Sequence, residues 1–368
     1  MRRRNGFSLM EMVVTLAVLG MVTFFLTDLL VRQSRTYTVV DDVSEAQQNL
    51  RAVSSLMERE IRSTGFMVPA AAAVCGWDKP AAGAKDTTPD VFYVTDSDAV
   101  DPTGLTSVTA QAAKVTSGFT GTGVDNLVLS SLVVDANPFY DLDGDGVADS
   151  DFLYSAAPQR NGGIIVVDRN DPTKGAACGV ITDINTATNT VKVDFEIKTP
   201  PHSPTGGASP GGLTLGAGVA ELVAVPAHVY WVNTGDPPQL IRDGMVLAND
   251  VEDLQVAYFF DLNKNGVVDG LDPAYPAQPE ESATEYPGSA ATNSRYVAKT
   301  ADNSLLREVR VTLVARTRGQ DPDVAANPAL ANSVTQAAEN RAAGNVADGY
   351  RRRAITITVR PRNVNRVL

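Results

Sequence analysis

The chain has 368 residues, of which 43% are hydrophobic and 20% are charged, and its formal net charge is −12. These proportions are ordinary for a globular protein. The negative charge disfavours binding to nucleic acid and suits an exterior that is rich in divalent cations.

A basic leader and a long apolar run occupy the N-terminus. Three arginines, Arg2 to Arg4, precede Gly6 and Phe7, and the segment from Met12 to Thr27 carries no charge. With its apolar flanks this run is long enough to cross a bilayer as a helix. Because the arginines lie on its N-terminal side only, the positive-inside rule predicts a cytoplasmic N-terminus and export of the rest of the chain.

A cleaved signal peptide is the alternative explanation, and it would require a small-residue cleavage site after the apolar run. Leu30 is instead followed by Val31-Arg32-Gln33-Ser34-Arg35, which offers no such site. The small-residue junction suited to processing is Gly6-Phe7, ahead of the run. Cleavage there would remove the arginines and keep the hydrophobic helix.

The segment Gly6-Phe7-Ser8-Leu9-Met10-Glu11 resembles the cleavage and methylation motif of type IV prepilins. The resemblance implies a leader of residues 1–6, cleavage between Gly6 and Phe7, and N-methylation of Phe7 by the same membrane peptidase. It also implies that Glu11 attracts the new N-terminal ammonium of a neighbouring subunit. A carboxylate in a helix otherwise suited to hydrocarbon costs roughly 2.5 to 3.5 kcal/mol, so a partner is expected. The alternative is a boundary carboxylate that snorkels to the membrane interface.

The apolar run continues into an amphipathic segment. Leu50, Val53, Met57 and Ile61 recur at helical spacing, and Gly65 supplies a helix stop. The sequence therefore predicts one long helix, with residues 7–31 in the membrane and residues 32–65 packed on a globular region. Asp28 is expected at the outer interface without a specific role.

Residues 66–368 are predicted to form an exported β-rich region. Apolar or alternating runs of strand length occur at Asn126–Val134, Gly163–Asp168, Thr190–Ile197, Leu222–Val232, Val251–Phe260, Val309–Thr317 and Ala354–Val359. Between them, Thr199–Gly218 is predicted to be a loop, and Asp321–Gly349 a helix or a mobile insertion. We expect an α+β fold, in which the long N-terminal helix packs on a mostly antiparallel β-sheet with long loops.

Three segments of this region resemble the PilW-type minor pilins. They are Leu222–Asp261, Leu306–Arg316 and Val359–Asn363. The basic run Arg351-Arg352-Arg353 departs from the usual approach to the family's ending.

Cys75 and Cys178 are the two cysteines of the chain. Export permits a disulfide, and two cysteines leave one intramolecular pairing. Closing a loop of about 100 residues would stabilise the fold by roughly 4 to 5 kcal/mol. Two buried free thiols are the alternative.

Two acidic loops that contain glycine have the spacing of calcium sites. In such loops, oxygens at positions 1, 3 and 5 converge on the ion, glycine at position 6 permits the turn, and position 7 offers its carbonyl. Loop 261–272 fits this pattern through position 12, whereas loop 141–152 has Phe152 there. The candidate ligands are Asp141, Asp143, Asp145, Val147, Asp149 and Asp151 in the first loop, and Asp261, Asn263, Asn265, Val267, Asp269 and Asp272 in the second. Structural calcium clamps are the prediction, and solvated Asx-Gly turns are the alternative.

The sequence gives little support for an enzyme. His202 lies in a proline-rich segment and His228 in a predicted strand, and neither has an H-E-x-x-H partner. Gly207–Gly211 matches G-x-S-x-G, but Pro210 and the surrounding glycines disfavour the strand and helix that a nucleophile elbow needs.

The predicted function is that of a minor pilin, a structural subunit that primes or caps a type IV pilus. Its expected partners are other major and minor pilins, the prepilin peptidase and the inner-membrane assembly platform. It would reside in the bacterial inner membrane before assembly and on the pilus and cell surface afterwards. The alternatives are a minor pseudopilin of type II secretion and a calcium-dependent surface adhesin anchored by a pilin helix.

Overall fold

A computed structural model of the chain describes residues 8–66, 68–77, 89–95, 113–116, 124–129, 154–156, 159–171, 176–185, 187–195, 221–261, 305–321, 324 and 348–364. These residues form one long helix, a short 3-10 helix and three antiparallel sheets. The predicted α+β fold, a long N-terminal helix on antiparallel sheet, is confirmed.

Helix α1 (Leu9–Ser63) is 55 residues long and spans about 80 Å at 1.5 Å per residue. Ser8 caps its start, and the chain leaves the helix at Thr64, where ψ is 152°. Gly65 then adopts a φ of +77°, which is the left-handed region that glycine tolerates best. A Cβ atom at this position would also lie 3.0 Å from Val364 Cγ2. Gly65 therefore ends the helix as predicted.

The two halves of α1 have different surroundings. The large apolar side chains from Leu9 to Val31 are all exposed, and an apolar stretch in this part of the helix is long enough to cross a membrane. The first buried residue is Ala46. From there the predicted stripe of Leu50, Val53, Met57 and Ile61 is buried in the main hydrophobic core.

In the described part of the chain, the largest sheet has ten strands, and its longest strand, β10 (Leu222–Asn233), pairs with four others. Its strands are β1 (Val74–Trp77), β2 (Val91–Thr95), β3 (Ala113–Lys114), β4 (Val124–Val128), β7 (Gly163–Asp168), β8 (Ala176–Asn185), β9 (Thr190–Asp194), β10 (Leu222–Asn233), β11 (Gln239–Arg242) and β12 (Met245–Asn249). The main path runs β1-β2-β10-β7-β8-β9-β4, and β10 also pairs with β3 and β11. A separate hairpin joins β5 (Tyr154–Ala156) to β6 (Gln159–Asn161).

Strand β7 is buried on both faces, and its side chains alternate between two cores. Ile165 and Val167 belong to the main core, which α1 closes, whereas Ile164 and Val166 belong to a second cluster on the opposite face. A continuous apolar run such as Gly163–Asp168 suits this position, because neither face of the strand meets water.

Helix α1 packs mainly against a three-stranded sheet. This sheet has the order β13 (Val251–Phe260), β14 (Leu306–Arg316) and β15 (Arg352–Val359), and the helix contacts β14 and β15. The last described segment, residues 360–364, then returns to the end of the helix.

All seven predicted strands are present; Gly163–Asp168 and Val251–Phe260 have the predicted bounds, and the other five differ at one or both ends. The prediction Asn126–Val134 corresponds to β4, which begins two residues earlier, and residues 130–134 lie outside the described part. The strands that were not predicted are β1, β2, β3, β5, β6, β8, β11 and β12. The predicted loop Thr199–Gly218 and nearly all of Asp321–Gly349 also lie outside the described residues.

A disulfide joins Cys75 of β1 to Cys178 of β8, with a Cα–Cα distance of 6.2 Å. Both residues are fully buried. The predicted pairing is confirmed. It links two strands that are not neighbours in the sheet.

Candidate functional site

The start of α1 is closed by a reciprocal pair of hydrogen bonds between Ser8 and Glu11. The backbone N–H of Ser8 donates to Glu11 Oε2 at 2.9 Å, and the N–H of Glu11 donates to Ser8 Oγ at 3.2 Å. This capping box places the carboxylate at the positive end of the helix dipole, beside the amide that follows Phe7. Gly6 and Phe7 themselves lie outside the described residues.

The apolar half of α1 presents an uncovered hydrophobic surface. Met12, Val22 and Leu29 are each about half exposed or more. The hydroxyls of Thr15, Thr23 and Thr27 donate to carbonyls one turn back, so these polar groups are satisfied within the helix. At the far end Asp28 pairs with Arg32 at 2.9 Å, and both side chains are largely exposed. Such a surface suits lipid or the equivalent surface of another helix.

The other half of α1 is fixed to the sheet by a buried polar network centred on Glu60. Its side chain is 7% exposed, and Arg242 Nη2 donates to Glu60 Oε1 at 2.7 Å. The Tyr230 hydroxyl donates to Glu60 Oε2 and accepts from Arg242 Nε at 3.2 Å. The network therefore ties the helix to β10 and β11 at once.

His228 and Asp243 extend this network. Arg242 Nη2 lies 2.9 Å from His228 Nε2, and since a guanidinium only donates, Nε2 is the acceptor. His228 Nδ1 then carries the proton and donates to Asp243 Oδ2 at 2.7 Å. Asp243 Oδ1 also accepts the Val229 N–H at 2.9 Å. His228 is thus part of a chain of hydrogen bonds that runs from Asp243 through Arg242 to Glu60 of the helix.

Burial and neighbouring charges shift two groups of this network. Burial, followed by the charge of Glu60, raises the pKa of Tyr230 well above its usual value, so the phenol stays protonated and donates. Burial alone would lower the pKa of Arg242, but Asp243, Tyr230 and Glu60 outweigh it and raise that pKa. The Arg242 guanidinium therefore stays protonated across the physiological pH range.

The last described residues of the chain hold the C-terminal end of α1. The Asn363 side chain donates from Nδ2 to the Ser63 carbonyl at 2.8 Å and to the Thr64 carbonyl at 3.3 Å. The Arg362 N–H donates to the Arg62 carbonyl at 3.1 Å. These contacts satisfy carbonyls that a helix end leaves without intrahelical partners.

Nearly all the candidate calcium ligands lie outside the described residues. Of the twelve candidate ligands only Asp261 is described, and it is fully buried, with Oδ2 accepting from Arg307 Nε at 2.8 Å and from Nη2. A cation bound there would have to share this carboxylate with a guanidinium. Within the described part, no group of three His, Cys, Asp or Glu residues could hold a metal ion. Calcium binding stays a prediction.

The sequence did not identify the network around Glu60 or the contact made by Asn363. Two signals were present: Glu60 adjoins Ile61 on the apolar stripe, and Asp243-Gly244 is a hairpin dipeptide. Both turn residues have positive φ, 51° and 79°. His202 and the Gly207–Gly211 segment lie outside the described residues.

Comparison with known proteins gives matches at both ends of the chain. The family model described as the prokaryotic N-terminal methylation motif matches residues 1–27. The family model described as Type IV Pilus-assembly protein W matches residues 229–363. No curated protein is significantly similar to this chain.

Among solved structures, one match is a type IV-like pilin from Thermus thermophilus. It is 12% identical, with a TM-score of 0.23, and the match covers 57% of this chain and 87% of that chain. A likeness at this level carries no functional argument.

The two family matches coincide with the two parts of the site. The first covers the basic leader, Glu11 and most of the exposed apolar half of α1. The second begins within β10 and ends at Asn363, so it includes Tyr230 and Arg242. The matched regions thus hold the processing motif and the elements that anchor the helix.

Proposed function

We propose that this chain, a prepilin-type protein with a C-terminal region of the PilW type, is a minor pilin that primes or caps a type IV pilus. The observation that carries the proposal is a single continuous helix with an uncovered apolar half and a firmly anchored half. Such a helix can pass from lipid into a fibre without refolding of the globular region. The role is structural rather than enzymatic.

Processing would prepare the N-terminus for assembly. Cleavage between Gly6 and Phe7 removes three arginines and creates a new ammonium on Phe7, which the same peptidase methylates. The capping box holds the Glu11 carboxylate at the edge of the helix, where an incoming amine of a neighbouring subunit can reach it. Pairing removes the energetic penalty of roughly 2.5 to 3.5 kcal/mol for a charge in an apolar environment.

The exposed apolar half of α1 would exchange lipid for protein during assembly. In the membrane its side chains face hydrocarbon, and in the fibre they would pack against the same surfaces of other pilin helices. Before assembly the chain would sit in the inner membrane with its N-terminus cytoplasmic, in contact with the peptidase and the assembly platform. Afterwards it would lie on the pilus.

The contacts between the helix and the globular region would fix the orientation of the globular region relative to the helix in the fibre. Glu60 and Asn363 bind the helix to β10, β11 and the C-terminal segment. A globular region attached in this way is presented at a fixed angle to the fibre axis. We also propose that calcium stabilises one or both acidic loops, 141–152 and 261–272, without a role in the assembly step itself.

Incorporation into sheared pili tests this function. Glu11→Gln keeps the size of the side chain and removes the charge that an amine would neutralise. We expect the variant to be processed and to remain in the membrane, but to be largely absent from pili. Asp28→Asn is the matched control, since it removes a carboxylate from the exposed end of the apolar run, and it should be incorporated normally. Incorporation of both variants at the level of the unaltered chain would contradict the proposal.

A further inference from the structure

Two arginines of α1 follow directly after its apolar run. From Leu9 to Leu30 the helix rises about 32 Å, which matches the hydrocarbon core of a bilayer, roughly 30 Å thick. With the helix at that depth, Arg32 and Arg35 lie about 3 and 8 Å beyond the hydrocarbon edge. The headgroup layer on each side of a bilayer is roughly 5 to 8 Å thick, so both residues lie at its level.

The direction of the two side chains brings them closer to the membrane. In an α-helix the Cα–Cβ bonds tilt toward the N-terminus, which for α1 is the membrane side. Arg32 lies five turns before Leu50, and Arg35 lies five turns before Val53, so both point to the side of the helix that packs on the globular region. The arginines therefore project back toward the membrane surface, beneath the globular region.

The charges at this level leave one net positive charge. Arg32 Nε donates to Asp28 Oδ2 at 2.9 Å, but 77% of the Arg32 side chain and 50% of the Asp28 side chain are exposed. Arg35 is exposed and forms no ion pair with any described residue. One of the two guanidinium groups is thus not neutralised by the helix itself.

The acidic residues of the helix lie farther from the membrane. Asp41, Asp42 and Glu45 begin about 17 Å beyond Leu30, and each is at least about 9 Å farther along the axis than Arg35. At physiological ionic strength the Debye length is about 8 Å, so these carboxylates act only weakly on a phosphate at the headgroup level.

The loop that follows β14 also lies above the headgroup layer. A Cβ atom on Gly319 would be 2.8 Å from Asp42 Oδ2, so this loop meets the helix about 10 Å farther from the membrane than Arg35. Next to Gly319, Arg318 is exposed. Arg316 is surrounded by the carboxylates of Asp236, Asp250 and Glu252. A headgroup therefore has room between the hydrocarbon edge and this loop.

We propose that Arg32 and Arg35 bind the phosphate of an anionic phospholipid in the exported leaflet and so hold the unassembled subunit at a fixed depth. The proposal rests on the membrane stage of the proposed function. Two observations identify the occupant: the arginines continue directly from the apolar run, and their net charge complements a phosphate, which guanidinium groups bind well. The contact is made before assembly and is given up when the helix leaves the membrane.

Photocross-linking to lipid tests this contact. The full-length chain carries p-benzoylphenylalanine in place of either Val31 or Leu30, in nanodiscs of equal parts phosphatidylglycerol and phosphatidylcholine. Val31 lies one turn before Arg35 on nearly the same side of the helix, whereas Leu30 lies at almost the same depth on the opposite side. Both side chains are apolar and exposed, so the reporter changes no charge. Mass spectrometry of the adduct identifies the lipid.

At Val31 the adducts should contain roughly fivefold more phosphatidylglycerol than phosphatidylcholine, the ratio expected from one net positive charge near anionic headgroups. At Leu30 the ratio should be closer to one. Arg32→Gln with Arg35→Gln should bring the ratio at Val31 to one or below, because Asp28 remains. Replacement of both arginines by lysine should keep the preference, since the charges stay.

Arg51→Gln is the matched control. Arg51 is an exposed arginine of the same helix, but it lies about 32 Å beyond Leu30, so its loss should leave the ratio at Val31 unchanged. The leader arginines lie on the other side of the bilayer and are the same in every variant.

A ratio near one at Val31 in the parent, an equal preference at Val31 and Leu30, or a preference that the glutamine pair does not remove would overturn the headgroup contact. In each of these cases lipid adducts still form, so the membrane stage of the proposed function stands. Absence of any lipid adduct at both positions would overturn the contact and the membrane stage together.

Discussion

Glu60 of α1 and Arg242 of β11 form an ion pair of 2.7 Å between residues 182 positions apart in the chain. Only 7% of the Glu60 side chain and 22% of the Arg242 side chain are exposed. Pairs of this kind are costly to desolvate, and removing Glu60 would leave the charge of Arg242 with Asp243, at 3.4 Å, as its remaining acidic partner. The pair therefore makes docking of the helix sensitive to a single side chain.

Glu60→Ala should lower the free energy of unfolding by about 3 kcal/mol, because Arg242 would keep its charge in a buried site. Urea denaturation of the chain from Arg32 onward measures this. That fragment keeps every buried residue of the helix, since the first of them is Ala46.

Glu58→Ala is the matched control for this prediction. Glu58 also pairs with an arginine, Arg62, but both side chains are more than 40% exposed. Exposed pairs of this spacing contribute about 0.3 to 0.5 kcal/mol. Equal losses for the two variants would show that the Glu60 network does not anchor the helix.

Asn363→Ala should destabilise the end of α1 by about 1 to 2 kcal/mol, because two carbonyls lose a donor at the helix terminus. Hydrogen exchange should increase mainly at residues 60–64. Thr358→Ala, an exposed substitution on β15, serves as control. Uniform exchange across the helix in both variants would argue against a local role for Asn363.

Replacement of both Cys75 and Cys178 by alanine should lower the free energy of unfolding by roughly 4 to 5 kcal/mol. The reason is the long loop that the bond closes, with a sequence separation of 103. Denaturation of the variant against the oxidised parent gives the difference. A loss of less than about 1 kcal/mol would mean that the unfolded chain is not restrained by the bond in the way the chain-entropy account requires.

The features that could be predicted from the sequence are those that depend on local interactions. The long helix, its stop at Gly65 and the central strand β7 depend on residue spacing within one segment, and all three were predicted. The disulfide could be predicted because two cysteines allow one intramolecular pairing.

The anchoring network around Glu60 could not be predicted, because nothing in the sequence indicates that Glu60 lies next to Arg242. Strand β8 was also missed, since it begins with Ala176-Ala177-Cys178-Gly179, which lacks β-branched and aromatic residues. Its place between β7 and β9 comes from tertiary pairing rather than from local preference.

Asp348 predicts a pH dependence of stability. Burial would raise the pKa of its carboxyl, but hydrogen bonds from Arg352 and from the Tyr350 N–H outweigh this and lower the pKa. A depressed folded-state pKa gives stability that is complete above the unfolded value of about 3.9 and is lost as the pH falls through the folded value. The stability difference between the parent and Asp348→Asn should therefore be constant at neutral pH and shrink below about pH 4.

Thermal unfolding at a series of pH values measures this difference. Asp183→Asn is the control, because Asp183 is exposed and forms no ion pair within the described part of the chain. A difference between the parent and Asp348→Asn that grows on acidification would contradict the assignment.

Calcium should raise the melting temperature of the chain from Arg32 onward, and chelator should reverse the increase. Asp145→Ala tests the first loop and Asp269→Ala the second. Because Asp261 is already paired with Arg307, we expect the smaller loss from the second loop. Unchanged melting in calcium and in chelator would identify both loops as ordinary turns.

Mass spectrometry of the mature N-terminus, in protein recovered from pili or membranes, shows whether the chain is processed as a pilin. We predict a chain that starts at Phe7 and carries one methyl group on its amine. A mature protein that retains Met1, or that starts far from Phe7, would contradict the assignment of this chain as a pilin.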